Sequence, residues 1–347
     1  MQRAGARHPD ASPSTSEAME EHYATLNEYL QMEYKFQPRL CLPNESESGE
    51  VTTGARDGAA HVMRCLKVWY DLPTEVLIDA VSLFDRFLTK MKVRPCHVPC
   101  ITVACMNIAI DQHAAHTKEA RKVSVEELVS ISQSACTAGD VARMSRVVVD
   151  KLALAPGTRA VTARDWLRLF AHLLQPHCPT PPEEAELLKL LEIVVCDAAC
   201  ANARTSELAL VVLYHHLEAR LVELARSAPL PDQAYQLFEV GAQLQQYCHM
   251  SDAMLVSTRS RVQHVLARYE ARAAAPQRQR LVWRLSERTL KVLRPTDRLG
   301  SLLPTIEEQH YAVEATPNRN RSGSESSENE ETCDWPRSPV LPVYCDH

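Results

Sequence analysis

The sequence predicts an all-α fold, and three observations carry the prediction. Glycine is scarce, at 9 of 347 residues, against an average usage of roughly 7%. Long stretches rich in Leu, Ala and Val repeat their apolar residues every three or four positions, the period of one helix face. Capping residues, Pro and Gly divide these stretches into helix-length pieces. The glycines at 5, 49, 54, 58, 139, 157, 241, 300 and 323 show neither G-x-G-x-x-G nor G-x-x-x-x-G-K spacing. A phosphate cradle needs backbone that approaches phosphate with no Cβ in the way, so P-loop, Rossmann and kinase-type nucleotide sites are disfavoured.

Residues 1–16 are polar and expected to be disordered. Residues 17–50 hold an N-terminal helix, Glu17 to about Lys35, and a linker. Leu26 and Leu30 share one face, Gln37-Pro38 stops the helix, and 42–54 is a loop.

Residues 51–156 form a first helical block. Its first helix is expected at Ala59–Tyr70, ended by Asp71-Leu72-Pro73. The second runs from Pro73, suited to the first turn, to about Met91, with Leu77, Ala80, Val81, Phe84 and Leu88 at helical spacing. The third, about Pro95 to Ile110, is apolar almost all round and should be the buried hub. A charged, His-rich loop is expected from Asp111 to Lys122. Ser124, with Glu127 three residues on, opens a short fourth helix through a capping box. The fifth runs from Ala138 to about Leu154, and Ala155-Pro156-Gly157 ends it.

Residues 157–275 repeat this plan. Thr162 caps a helix to about Gln175, Pro179–Pro182 is a linker, and helices follow near 183–203, 205–227, 232–248 and 253–274. The third of these five again carries an apolar run, Leu208 and Leu210 to Leu213. Two five-helix blocks about 100 residues apart point to a duplicated domain. Residues 276–310 are basic and then apolar, and 311–347 form a Ser/Glu/Pro-rich tail expected to be disordered.

Composition narrows the function classes. The formal net charge is −6 and the pI is near 6.2, which gives no electrostatic reason to expect nucleic acid as a partner. The N-terminus lacks the apolar core of a secretory signal. No apolar run approaches 18 residues, so no membrane partner is expected. None of the 12 cysteines forms C-x-x-C. Cys196 and Cys200 lie four apart, Cys96, Cys100 and Cys105 lie along another helix, and free buried thiols are the expectation. His113 with His116, and His172 with His177 and Cys178, lack the second pair a zinc site needs. Cys96-His97 are adjacent and would point in different directions on a helix, a poor nucleophile–base pair. No catalytic, cofactor or metal site is expected, and the chain reads as a non-enzyme.

The block Ala80-Val81-Ser82-Leu83-Phe84-Asp85-Arg86-Phe87-Leu88 resembles the second-helix signature of the cyclin box, and Thr89-Lys90-Met91-Lys92-Val93 resembles G-type cyclins in particular. Leu26-Asn27, Leu30, Glu33, Gln37-Pro38 and Cys41 resemble that family's N-terminal helix. Ile131-Ser132-Gln133 and Arg143-Met144 resemble its fourth and fifth helices. Trp283, Ser286, Arg288-Thr289, Leu293 and Leu303-Pro304-Thr305-Ile306 resemble its C-terminal segment. The resemblance covers roughly 20–308, strong in the first box, thin through 157–275 and sharp again at 281–308. It implies two tandem cyclin boxes and a regulatory subunit that works in nucleus and cytoplasm, in cell-cycle, growth or DNA-damage control. Its implied partner is a cyclin-dependent or related protein kinase.

The resemblance also assigns positions. In cyclins the Asp matching Asp85 pairs with an Arg on the first box helix, which falls on Arg56; the alternative is a solvated Asp85 with Arg86 as counter-charge. Kinase-activating cyclins carry a Lys at the end of the third helix and a Glu on the fifth. These positions fall on Asp111 and Ser145, one charge-reversed and one neutral. The apolar substrate-docking patch falls on Ala55, Ala59 and Val62, which weakens it.

Leu303-Pro304-Thr305-Ile306-Glu307-Glu308 fits L-x-x-I-x-E, which resembles the peptide bound by B-prime regulatory subunits of protein phosphatase 2A. In that mode Leu303 and Ile306 enter apolar pockets and Glu308 a basic one. Pro304 keeps Leu303 extended, and phosphate on Thr305 would add negative charge. The other reading is a short apolar segment packing back on the second box. Ser324 and Ser326 suit acid-directed kinases and Ser338-Pro339 proline-directed ones; the alternative is a solvated tail with incidental serines. Two functional readings follow: a kinase-binding scaffold that recruits the phosphatase, or a kinase-independent phosphatase adaptor on the same fold.

Overall fold

The computed structural model describes residues 15–45, 49–117, 121–155, 159–178, 181–227, 229 and 231–274. Every regular element among them is helical. Helix α1 (Thr15–Phe36) precedes a first group, α2 (Thr53–Trp69), α3 (Thr74–Lys90), α4 (Val98–His116), α5 (Val125–Ser132) and α6 (Ala138–Leu152). A second group contains α7 (Ala163–Leu174), α8 (Glu184–Val195), the one-turn α9 (Ala198–Ala201), α10 (Thr205–Ser227), α11 (Asp232–Tyr247) and α12 (Asp252–Ala274). Leaving aside α9, the two groups are tandem five-helix boxes.

Each box is organised by its most apolar helix. Every residue of α4 from Ile101 to Ile110 is buried, and α4 packs against α2, α3, α5 and α6. Its counterpart α10 buries Leu208 to Leu213 and packs against α7, α8 and α12. A helix apolar on all sides can only be satisfied at the centre of a bundle. Trp166 and Phe170 of α7 are fully buried in the second core, and Tyr29 of α1 meets Trp166 edge-on at 5.4 Å.

Side-chain caps mark the starts of α2, α5, α6 and α7. Thr52 Oγ1 accepts from Ala55 N at 3.1 Å. Ser124 and Glu127 exchange hydrogen bonds at 3.2 and 3.0 Å, the capping box predicted there. Thr137 with Asp140 repeats the device at α6, and at α7 the Asp165 carboxylate accepts the Thr162 N–H.

Several boundaries differ from expectation. Helix α1 begins at Thr15, inside the segment expected to be disordered. Helix α2 begins at Thr53, six residues earlier than Ala59, because Thr52 supplies the cap. Pro73 is the N-cap of α3, one step before its expected place. The expected loop from Asp111 is helical to His116: Asn107 Nδ2 donates to Asp111 Oδ2 at 3.2 Å, and His116 Nδ1 lies 2.7 Å from the Gln112 carbonyl, bonds that hold the last turns. Helix α6 stops at Leu152, where Ala153 turns left-handed. The helix expected over 183–203 breaks after Val195. Asp197 caps α9 through Ala199 N at 3.0 Å, while Arg56 of α2 takes the Val195 carbonyl at 2.8 Å and Asp57 takes the Ala198 N–H at 2.8 Å. Backbone groups released by the break are thus satisfied by the other box.

Candidate partner-binding site

The sequence places Asp85 on the core side of α3, where a carboxylate needs a partner. The structure brings Arg56 to it in a two-pronged contact, Nε to Oδ1 at 3.0 Å and Nη2 to Oδ2 at 2.6 Å. Arg56 is 1% exposed and Asp85 3%. Burial works against the Arg56 charge, but Asp85 more than offsets it and holds the guanidinium above its usual pKa. Arg86 is not the counter-charge. It is buried with its Cζ 4.8 Å from the Phe36 ring of α1, its Nη1 has no hydrogen-bond partner, and burial pulls its pKa down to about 10.

Around this pair, charged side chains tie the boxes together. Glu192 of α8, 5% exposed, accepts from Arg64 Nε and Lys67 Nζ of α2, both at 2.7 Å. Thr74 Oγ1 donates to the same carboxylate at 3.2 Å, and Arg64 also reaches Tyr269 of α12 at 2.8 Å. Burial opposes ionisation of Glu192, but Lys67 and Arg64 outweigh it and hold its pKa below the usual value. On the α3–α7 side Glu75 pairs with Arg164 at 2.7 Å and with Arg168. Arg159 bridges Asp165 at 2.7 Å and Asp79 at 3.4 Å. Burial, opposed by Arg159 and Arg164, still pushes Asp79 up to about 6.

Glu33 fastens α1 to the start of α10. Its carboxylate accepts the Ser206 N–H at 2.7 Å, the Thr205 hydroxyl at 3.0 Å and Arg204 Nη2 at 2.8 Å. Gln37 donates to the Ala203 carbonyl at 2.8 Å, and Leu40 and Asn202 exchange bonds at 2.7 and 2.8 Å. Glu33 and Gln37, two of the residues that resemble the family's N-terminal helix, are thus among those that dock it. Glu192 and the Arg204 partner of Glu33 were not anticipated. A signal for Glu192 existed: one carboxylate inside the run Leu187-Leu188-Lys189-Leu190-Leu191-Glu192-Ile193-Val194-Val195 must find cations if buried.

The two positions that the resemblance assigns to a kinase contact, Asp111 and Ser145, lie on α4 and α6, which pack together. Asp111 is exposed near the end of α4, and partial burial raises its pKa while the Asn107 bond opposes the rise. Ser145 on α6 is half-buried, and its Oγ has no hydrogen-bond partner. Arg143 and Arg146 beside it are exposed. Ala59 is buried, and Ala55 and Val62 are half-buried, so the positions that the resemblance assigns to a docking patch offer little apolar relief. Leu303, Thr305, Ile306, Glu308, Ser324, Ser326 and Ser338 lie outside the described residues.

The described cysteines are free, as expected; Cys105, Cys178, Cys200 and Cys248 are buried, while Cys41 and Cys96 are exposed. Burial pushes Cys178 up to about 11 and Cys200 and Cys248 up to about 12, which suppresses the thiolate. Among the described residues no group of three or more His, Cys, Asp or Glu could hold a metal ion. The stacked rings of His22 and His172, 5.4 Å apart, join α1 to α7. Clefts of ≈ 130 Å³ beside His172 and ≈ 50 Å³ beside Arg56 fall short of the ~300–1,000 Å³ typical of a small-molecule site.

Residues 24–155 match the family model described as "Cyclin, N-terminal domain". The chain is 41% identical over 337 residues to Cyclin G of Drosophila melanogaster, covering 94% of this chain and 58% of that protein. It is 30% identical to Cyclin-G2 of Mus musculus over 295 residues, 82% of this chain and 81% of that one. Cyclin-G1 of Bos taurus is 30% identical over 294 residues, 82% of this chain and 94% of that one. This chain thus spans just over half the length of the fly relative.

Proposed function

The chain belongs to the G-type cyclins, a family of regulatory proteins, and on that premise we propose that it is a non-catalytic scaffold joining a protein kinase to protein phosphatase 2A. The first box binds a cyclin-dependent or related kinase. The peptide Leu303–Glu308 recruits a B-prime regulatory subunit, with Thr305 phosphorylation strengthening the contact. The effect of such a scaffold is a raised local concentration of enzyme at substrate. In this reading the protein acts in nucleus and cytoplasm, in cell-cycle, growth or DNA-damage control, and Ser324, Ser326 and Ser338 are tail phosphosites.

The observation that carries the reading is the contrast between its two contact regions. Asp111 and Ser145 depart from the kinase-activating pattern, whereas Leu303, Ile306 and Glu308 keep every position of the docking motif. The test is affinity purification of the full chain with partner identification, wild type against Leu303→Ala/Ile306→Ala. Loss of the B-prime subunit from the variant is expected; equal recovery by both overturns the docking assignment.

The departures at Asp111 and Ser145 favour a second reading, a kinase-independent phosphatase adaptor on the same fold. Robust kinase activation by the purified protein, lost on Asp111→Arg, would rule it out.

A further inference from the structure

We propose that His61 and Cys65 of α2 are one half of a tetrahedral zinc site that a second copy of this chain completes. The two residues stand four apart on one helix, so their side chains leave the same face one turn from each other. Cys65 Sγ lies 3.7 Å from His61 Nε2. Zinc bonds of about 2.3 Å to thiolate sulfur and about 2.0 Å to imidazole nitrogen, at a tetrahedral angle, set two such ligands about 3.5 Å apart. The pair thus needs a shift of only ~0.2 Å to share one ion. Thiolate with imidazole is a donor set that suits zinc. Cys65 is free, and both side chains are half-buried, so part of each stays open to solvent. Arg64, beside Cys65 in the chain, is committed elsewhere: it donates to Glu192 at 2.7 Å and to the Tyr269 hydroxyl at 2.8 Å.

Two ligands leave a structural zinc ion two short, and among the described residues no third His, Cys, Asp or Glu joins them. A twofold axis through the ion supplies the missing pair, the same two residues of the second copy. The surface around the pair permits that approach. Gly54, Gly58, His61, Cys65 and Val68 follow one another in alternating steps of four and three residues, the spacing of a seam between two packed helices. Gly54 is exposed, and a Cβ added to Gly58 would meet nothing within 4 Å among the described residues. Glycines at those two places let a second backbone come close with no side chain between. Val68 is 58% exposed and is covered when the second α2 lies along the seam.

Each thiol gives up its proton as its sulfur binds the metal, so one zinc ion releases two protons, and its double positive charge is matched by two thiolates. The site depends only on the fold and not on the identity of a kinase or phosphatase.

The test measures the molar mass of the purified full chain by light scattering, first with a chelator and then with zinc, under a reductant that carries no thiol. The mass should double with zinc, at one ion per two chains, and return on chelation. Cobalt in place of zinc should give the visible absorption of a tetrahedral thiolate site. Cys65→Ser and His61→Ala should abolish both signals, whereas Cys96→Ser, which removes an exposed thiol elsewhere, should keep them. Gly58→Gln, placed in open space, should keep the helical circular dichroism and abolish the doubling. The wild-type arm needs no substitution, so it decides the case even where a variant fails to fold. A wild-type mass unchanged by zinc, or equally doubled in the chelator, overturns the proposal. So does a doubling that survives Cys65→Ser, or a zinc ion bound at His61 and Cys65 of a single chain.

Discussion

Replacing Asp85 with alanine removes the counter-charge from a guanidinium that is 1% exposed. Two hydrogen bonds, 3.0 and 2.6 Å long, disappear, and Arg56 keeps only the Val195 carbonyl at 2.8 Å and a 3.3 Å contact to Asp57. The side chain cannot reach water without opening the α2–α3 packing. Stranding one member of a buried ion pair costs about 3–5 kcal/mol. In a folded region of this size that lowers Tm on the order of 10 °C. Replacing both partners, as Arg56→Met/Asp85→Leu, leaves no orphaned charge and should recover most of the loss, because a buried pair stabilises little relative to apolar packing. The Val195 carbonyl then lacks its Arg56 donor, which sets a residual cost of about 1 kcal/mol. Urea unfolding of wild type, Arg56→Met, Asp85→Leu and Arg56→Met/Asp85→Leu, followed by circular dichroism, closes a double-mutant cycle, with Asp85→Ala measured beside it. An Asp85→Ala variant within ~1 kcal/mol of wild type, or a double variant that costs the sum of the singles, would refute the reasoning.

Arg86 is the converse case, a buried cation with no carboxylate partner among the described residues; Arg86→Met keeps the stem against Phe36, removes the unsatisfied Nη1, and should leave urea stability unchanged or raise it by about 1 kcal/mol. Glu33→Ala should cost about 2–3 kcal/mol, since it uncaps α10 and takes from Arg204 the nearer of its two carboxylates, leaving Glu207 at 3.6 Å; a loss under ~0.5 kcal/mol would mean α1 is held by apolar contacts alone. Asp79 has a folded pKa near 6, above the ordinary 3.8, so its protonated form favours the fold. That contribution is complete below about pH 4 and is lost as pH rises through 6; Asp79→Asn should flatten the stability profile between pH 4 and 6, and an unchanged slope in pH-resolved melting would show that Arg159 holds the carboxylate ionised throughout.

The helix inventory was largely legible, because periodicity, caps and stops act within a few residues of one another. Ser124 with Glu127 and the apolar run of α4 were visible as patterns and appear as a capping box and a buried hub. Boundaries erred where a weak local signal was supplemented. Asp111 to His116 looks like a polar loop, yet the Asn107 and Gln112 bonds carry the helix on. Cys196 and Asp197 look like helix interior, yet Arg56 and Asp57, about 140 residues earlier, satisfy the broken backbone.

By itself the sequence determined the fold class, the two hubs and the family resemblance, since each is written in local spacing and residue type. Tertiary structure decided which charges meet. Asp85 has Arg86 beside it in the chain and Arg56 beside it in space, and it pairs with Arg56. Glu192 gathers Arg64, Lys67 and Thr74 from the other box. The reason is physical: a buried carboxylate takes whichever cation the packing delivers into the same low-dielectric volume. Sequence neighbours on a helix point different ways, and Arg86 is turned toward Phe36 instead.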